Sequence, residues 1–333
     1  MVESVIRMSS AVRVIVLNWN GRAWLGACLT ALRQQDFRSF EVVVVDNAST
    51  DGSAELVRDR FPECQVVALD ANIGFAAGNN AGALGATARY LVFLNNDTEV
   101  AEDWLTALVS AAEGDPGVGL VTSRVVFMDR PGVIDSAGDG YLRCGGAFKH
   151  GHGQSDGRFG SREVFGACGA AFLIRRELFE ALGGFDADFF MVYEDVDLSY
   201  RARLVGSRCV YAADARVRHA GSASLGRISA LAVYHGQRNL EWTWIKNSPR
   251  ALLLRSFPSH VLFNLAGLAA YTRAGRLGAW WRGKLAAIAG LPAVWRKRRA
   301  VQRSSTASPE ALWALMDADW VGVKRREKSF DLK

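Results

Sequence analysis

VRVIVLNWNG (12–21) and FEVVVVDNASTDGS (40–53) decide the fold. Each opens on a nearly continuous apolar run and closes on a polar loop. Such a run, without alternation, marks a strand covered on both faces. Between the two, AWLGACLTALRQQ carries apolar residues at helical spacing. Working outward, QVVALD (65–70) and YLVFLNND (90–97) repeat the strand pattern, while SAELVRDRF and EDWLTALVSAAEG repeat the helical one. Ser49, Thr50 and Asp51 supply N-cap residues ahead of SAELVRDRF. IGFAAGNNAGALGAT, rich in Gly and Ala, opens a closely packed helix. Strand–helix alternation over the first 125 residues predicts an α/β chain: a mostly parallel sheet flanked by helices, joined by right-handed crossovers.

Beyond this the pattern changes. Residues 128–168 are rich in Gly, Asp and Ser and read as a long mobile loop region. AAFLIRRELFEALGGFD reads as a strand, a helix and a Gly-Gly stop. YEDVDLSYRARLVG is a helix with acids in its first turn, and CVYAADARVRHAG is strand-like. From 227 onward the chain reads as helical and basic.

The 333 residues, 50% of them hydrophobic, suffice for a large α/β domain (1–240) with a basic helical extension (241–333). Five dispersed cysteines without a CxxC pair argue against a disulfide scaffold or a zinc site and suit a reducing compartment. The first twenty residues lack the long apolar run and small-residue cleavage site of a signal peptide. Net charge is +6, unevenly spread. Residues 242–309 hold twelve Lys/Arg and no acid, leaving 28 basic against 34 acidic residues elsewhere. The same stretch holds Trp242, Trp244, Trp280, Trp281 and Trp295. Tryptophan interleaved with arginine favours a membrane interface over a nucleic-acid groove, so 242–303 is expected to touch a membrane surface, and the RKRR cluster (296–299) is not read as a nucleic-acid site. The longest uncharged run there, Ser256 to Thr272, is 17 residues with Pro258 and His260 inside it, a poor spanning helix.

Chemistry collects where strands end, because ligands of open α/β sheets bind beyond the carboxyl ends of the strands. Asn18-Trp19-Asn20-Gly21 follows the first strand and Asp46-Asn47 the second. A carboxylate at Asp46 can accept from the N3–H of a pyrimidine or from a ribose hydroxyl; capping of the next helix explains it equally well. Neither loop carries GxGxxG or GxxxxGK[ST], so the dinucleotide and P-loop readings lose support. Asn95-Asn96-Asp97 ends the fourth strand and offers oxygen ligands to a hard divalent cation, or simply a turn. Glu194-Asp195-Val196-Asp197 follows the aromatic Phe185, Phe189, Phe190 and Tyr193. Aromatic shielding raises a carboxylate toward the working range of a general base; a helix start favouring acids is the plainer explanation. His219 closes the last strand-like stretch.

In order, VIVLNWNG, VVVVDNASTDGS, NIGFAAGNNAG, FLNNDTE, GGFDADFFMVYEDVDLSYR and VRHAGSAS resemble the family 2 inverting glycosyltransferases of GT-A (Rossmann-like) fold, most of all the bacterial rhamnosyltransferase-like branch. The resemblance spans about residues 12–240. It implies that Asp46 and the neighbouring Asn47 hold the nucleotide base, and that Asn18 and Asn20 border the nucleotide. It lays the DXD metal motif on Asn95-Asn96-Asp97 with an amide in place of the first acid. Asp97 and His219 then take a divalent metal, Mg²⁺ or Mn²⁺, while Asn95 and Asn96 face the donor. Asp195 becomes the catalytic base and Glu194 helps hold the acceptor. The implied donor is a dTDP- or UDP-sugar, dTDP-L-rhamnose first. The acceptor is a cell-envelope polysaccharide or lipid-linked glycan, met in the cytoplasm at the inner face of the plasma membrane. Two other classes are weighed against this. A non-catalytic sugar-binding module is favoured by Asn95 and opposed by Asp97, Asp195 and His219. A nucleotidyltransferase lacks its Gly-rich basic loop after the first strand.

Overall fold

The computed structural model describes residues 10–221 and 229–331. The first nine residues, and 222–224 at the end of the VRHAGSAS motif, lie outside them. The first half follows the expected alternation: β1 (Val12–Asn18), α1 (Arg22–Arg33), β2 (Phe40–Asp46), α2 (Ser53–Arg60), β3 (Gln65–Ala68), α3 (Gly74–Ala83), β4 (Tyr90–Asn95), β5 (Thr98–Val100), α4 (Trp104–Glu113) and β6 (Val118–Phe127). Period-two geometry explains the continuous apolar runs. Val14 and Val16 point into a layer with Leu25, Leu29, Trp104 and Leu108. Ile15, Val43 and Val45 point into the opposite layer with Phe93, Phe172 and Phe185. In α3 the small residues matter for space: a Cβ at Gly82 would stand 2.5 Å from Ile15 Cγ2.

Residues 128–168 are not one long loop. They form β7 (Ile134–Ser136), β8 (Asp139–Tyr141), β9 (Ala147–Lys149) and β10 (Arg162–Val164), with β8 and β9 making a separate hairpin. Its strands are three residues each, too short for a periodic signal, which is why glycine composition alone suggested a loop. Then come β11 (Ala171–Arg175), α5 (Arg176–Ala181), α6 (Glu194–Leu204) and β12 (Arg208–His219). The main sheet runs β10-β12-β6-β11-β4-β1-β2-β3. β1 pairs in parallel with β2 and β4, β2 with β3, and β6 with β12, while β11 runs antiparallel to both β4 and β6. The fold is thus the mostly parallel, helix-flanked sheet expected.

The chain ends in α7 (Ala230–Asn247), α8 (Arg250–Arg273), α9 (Leu277–Ala289), α10 (Leu291–Arg303), α11 (Pro309–Leu315) and α12 (Trp320–Asp331). The boundary expected at 240 falls inside α7. Cations of this region reach back into the sheet domain. Lys246 Nζ lies 2.5 Å from Asp186 and 2.7 Å from Asp197, and Lys297 pairs with Asp186 and Asp188. No described helix is long and apolar enough to cross a membrane.

Candidate active site

Register brings the polar strand ends together. Asn18 at the end of β1 sits beside Asp46 at the end of β2, and Leu17 lies beside Asn95 at the end of β4. The Asn18 amide donates to Asp46 Oδ1 at 3.2 Å and to Ser49 Oγ at 3.1 Å, and its carbonyl accepts from Asn96 Nδ2 at 2.7 Å. One fully buried asparagine therefore ties all three strand ends. Asn20, at φ 51°, accepts from the Thr50 N–H at 2.8 Å and joins the two nucleotide-side loops. Asn47 is engaged elsewhere. Its side chain donates to Asn72 Oδ1 and accepts from the Ile73 N–H, so it shapes the 72–74 turn rather than facing the crevice.

Asp97 occupies the turn between β4 and β5, and the β5–β12 pairing sets Thr98 opposite His219. His219 Nε2 lies 3.3 Å from Asp97 Oδ1, and its Nδ1 lies 2.9 Å from Asp135 Oδ2. Asp135, on β7, receives Lys149 Nζ on both oxygens at 2.9 and 3.0 Å. Burial opposes charge on His219, yet its two carboxylate partners raise it to about 9. Burial likewise opposes charge on Asp135, but Lys149, His152 and His219 hold it well below the usual carboxylate range. A histidine fixed on one nitrogen by a carboxylate and aimed with the other at a second carboxylate is the arrangement that orients a metal-binding imidazole. The described residues hold no group of three or more His, Cys, Asp or Glu able to enclose a metal. An Asp97–His219 donor pair nevertheless fits Mg²⁺ or Mn²⁺, which keep positions for water and substrate phosphate.

The other wall is the start of α6. Asp195 Oδ2 accepts from the Gly169 N–H at 2.7 Å, and the next carbonyl, Ala170, accepts from the Asn95 N–H at 2.9 Å. Three residues therefore connect the Asp195 carboxylate to the Asp97 turn. A side chain at 169 would collide, since its Cβ would stand 2.8 Å from Asp195 Oδ2. Burial raises Asp195; burial and then the Asp195 charge raise Glu194 well above the usual range. The buried Glu194 Oε2 has no hydrogen-bond partner. Asp139 on β8 is raised for the same two reasons. Just before this acid pair the backbone is strained: Phe190, Val192 and Tyr193 have φ of 61°, 67° and 77°. Asn239 of α7 holds that segment, its amide donating to the carbonyls of Phe189, Met191 and Val192 at 2.7–2.9 Å. On its far side the Phe190 carbonyl accepts from the Phe75 N–H at 2.6 Å, over Gly74 at φ 86°, where a Cβ would stand 2.5 Å from that oxygen.

A sequence model described as Glycosyl transferase family 2 matches residues 13–183, just over half of the chain. The chain belongs to glycosyl transferase family 2. It is 34% identical over 204 residues, 58% of its length, to the O-antigen biosynthesis protein RfbC of Myxococcus xanthus, of which it spans 16%. It is 27% identical over 255 residues to the N-acetylglucosaminyl-diphospho-decaprenol L-rhamnosyltransferase of Mycobacterium tuberculosis, covering 68% of this chain and 82% of that protein. The chain thus spans less than a quarter of the length of RfbC, and 22% of a further relative in Sinorhizobium fredii to which it is 33% identical over 214 residues. In structure it is similar to a mannosyltransferase of Pyrobaculum calidifontis solved with GDP-Man and Mn²⁺ (TM-score 0.53, 23% identity, 93% of this chain and 86% of that one), which shows the shared fold.

In this family 2 chain Asn18, Asn20, Asp46, Asn95, Asn96, Asp97, His219, Glu194 and Asp195 stand at or beside one crevice. Asp135, Asp139, Lys149 and Asn239 were not singled out from sequence. The first three lie in the stretch read as a loop. Asn239 sits in a helix whose neighbours give it no local signature.

Proposed function

We propose that this chain is an inverting glycosyltransferase that moves a sugar from a nucleoside-diphosphate donor to a hydroxyl of a cell-envelope glycan. The observation that carries this is the convergence of three groups on one crevice in a family 2 chain: Asp46, the Asp97–His219 pair and Asp195. Asp46, with Asn18 and Asn20, binds the base and ribose, and Asn47 contributes by shaping 72–74. Asp97 and His219 would hold Mg²⁺ or Mn²⁺, and Asn95 and Asn96 face the donor beside them. A bound divalent cation supplies charge neutralisation for a departing diphosphate. Asp195 takes the proton from the acceptor hydroxyl as that oxygen attacks the anomeric carbon opposite the leaving group. Its raised affinity for a proton supports that role. Glu194 beside it, whose buried Oε2 has no hydrogen-bond partner, helps hold the acceptor.

The donor proposed is dTDP-L-rhamnose, supported by the likeness to the mycobacterial rhamnosyltransferase, and the acceptor is a lipid-linked glycan or polysaccharide. The basic helices 242–303 bring the site to the inner face of the plasma membrane. The amide at Asn95 favours one second reading, a non-catalytic nucleotide-sugar-binding module. One experiment separates the two. Purified protein is given a panel of nucleotide sugars with Mn²⁺ or Mg²⁺, then with chelator. Metal-dependent nucleotide release from one donor supports the transferase. Donor binding without release, even when lipid-linked acceptors are added, leaves the binding module.

A further inference from the structure

The C-terminal helices present a surface that the site does not use. On α8, Leu254, Phe257, Val261 and Leu265 recur at helical spacing and are exposed, Leu254 by 69% and Leu265 by 55%. Spacing of three and four residues puts them on one face. Arg250, one turn before Leu254, opens a cleft of about 370 Å³ that it lines with Trp295, Arg298, Arg299 and Gln302. The last four lie on one face of α10, again at spacings of three and four. No acidic side chain lines the cleft. Its floor is fixed: buried Arg298 donates to the Ser248 carbonyl at 2.6 Å, and Gln302 donates to the Asn247 carbonyl at 2.8 Å, where α7 meets α8. Two exposed guanidinium groups, Arg250 and Arg299, and a half-exposed indole beside an apolar stripe have the composition of a bilayer interface. Arginines meet phosphate, tryptophan sits at headgroup depth and aliphatic side chains reach the acyl boundary.

We infer that this cleft takes the phosphate of an anionic phospholipid headgroup while the Leu254–Phe257–Val261–Leu265 stripe of α8 lies in the bilayer interface. Charge selects this occupant. From 242 to 309 there is no acid and Arg250 and Arg299 stand exposed, so an anionic leaflet is attracted at the cleft, while a second copy would set arginine against arginine. The surface also reaches the catalytic side. His260 and Phe263 of α8 pack on the turn at 144–146, and the hairpin that this turn closes carries Asp139 and Lys149. The inference deepens the membrane contact proposed above and rests on it.

The test uses the full chain and sedimentation with vesicles of phosphatidylcholine alone or with about one third phosphatidylglycerol. The parent is expected to bind the anionic vesicles. Arg250→Gln with Arg299→Gln lowers that partitioning by about 30-fold, from roughly fivefold per lost cation near an anionic surface. Leu254→Ser with Phe257→Ser lowers it at least tenfold. Circular dichroism confirms folding, and donor binding in solution is unchanged in both variants because neither touches the crevice. A parent that ignores anionic vesicles overturns both this inference and the membrane contact. A parent that binds them equally well after either pair of substitutions overturns this inference alone. So does protection of the cleft by inorganic phosphate at the level given by vesicles, or a dimer that the Leu254 and Phe257 substitutions dissolve. Loss of donor binding by the parent would strike the transferase reading and leave the lipid site standing.

Discussion

Replacing Asn239 by leucine keeps side-chain volume and deletes the donor that spans the strained segment before the acid pair. The two amide hydrogens of Asn239 serve three carbonyls, those of Phe189, Met191 and Val192. Phe189 keeps its Arg238 partner, so the loss falls on the Met191 and Val192 carbonyls, and leaving a buried acceptor unpaired costs about 1–3 kcal/mol. Against this stand three non-glycine residues at positive φ, each about 1–3 kcal/mol above relaxed backbone. Holding force and strain are of one size, so losing the amide lets the segment relax. Among the ties that remain are the Phe190 carbonyl on Phe75 N–H and Arg238 Nη2 on the Asp188 and Phe189 carbonyls. A loss of about 2–3 kcal/mol in loop ordering lowers the population of the competent arrangement, and hence kcat, by roughly 30- to 150-fold. Donor affinity should move little, because Asp46 and Asn18 lie across the crevice. The assay is steady-state transfer with donor and acceptor varied separately, alongside donor titration and Tm. An Asn239→Leu protein with kcat within about twofold of the parent would refute the reasoning. So would a variant whose donor affinity falls as far as its kcat.

Asp195→Asn is expected to abolish transfer and leave donor binding intact, read by turnover and by nucleotide-sugar titration; near-normal turnover removes Asp195 from the role of base. Asp97→Ala should weaken metal-dependent donor binding, and binding that still responds fully to chelator would clear Asp97 of metal contact. Lys149→Met should move the acid limb of kcat to higher pH, because the Lys149 charge lowers Asp195; an unmoved limb shows that the two groups do not communicate. Glu241, despite burial, is lowered to about 2 by His260 and Lys284. Its folded value lies below its unfolded value, so its contribution is complete above about pH 4.5 and fades as pH falls toward 2. The shift corresponds to roughly 3 kcal/mol. Urea unfolding across that window should show a shallower slope for Glu241→Gln; parallel slopes would contradict this.

The first four strands, in chain order, were legible because burial on both faces leaves a run of valines that local reading detects. So were the polar strand ends, since loops at those positions have nothing to pack and keep their Asn and Asp in view. Asp135 was not legible. It belongs to a three-residue strand, and its meaning comes from His219, 84 residues away. Asn239 shows the same limit: an asparagine inside a helix looks neutral until the carbonyls it serves are in place. The basic tail was read by composition as a lipid-facing surface, but composition counts all cations alike. Lys246 and Lys284 are bound to Asp186, Asp197 and Glu241 inside the protein, and Lys297 is paired with Asp186 and Asp188 at its surface, so all three are largely neutralised.

That division has a consequence for anyone recombining family 2 enzymes. A chimera cut at 240 would strip both ammonium groups from Asp186 and take Lys246 from Asp197, which is fully buried two residues past Asp195 and would keep only Arg201 as a cation. Removing one partner of a buried ion pair costs about 3–5 kcal/mol. The graft would then misfold or lose its acid pair whatever acceptor it was offered. A donor-specificity swap should therefore exchange loops at the strand ends and keep α7 and α10 with the parent sheet, because the charges that make the front half foldable are contributed by the back.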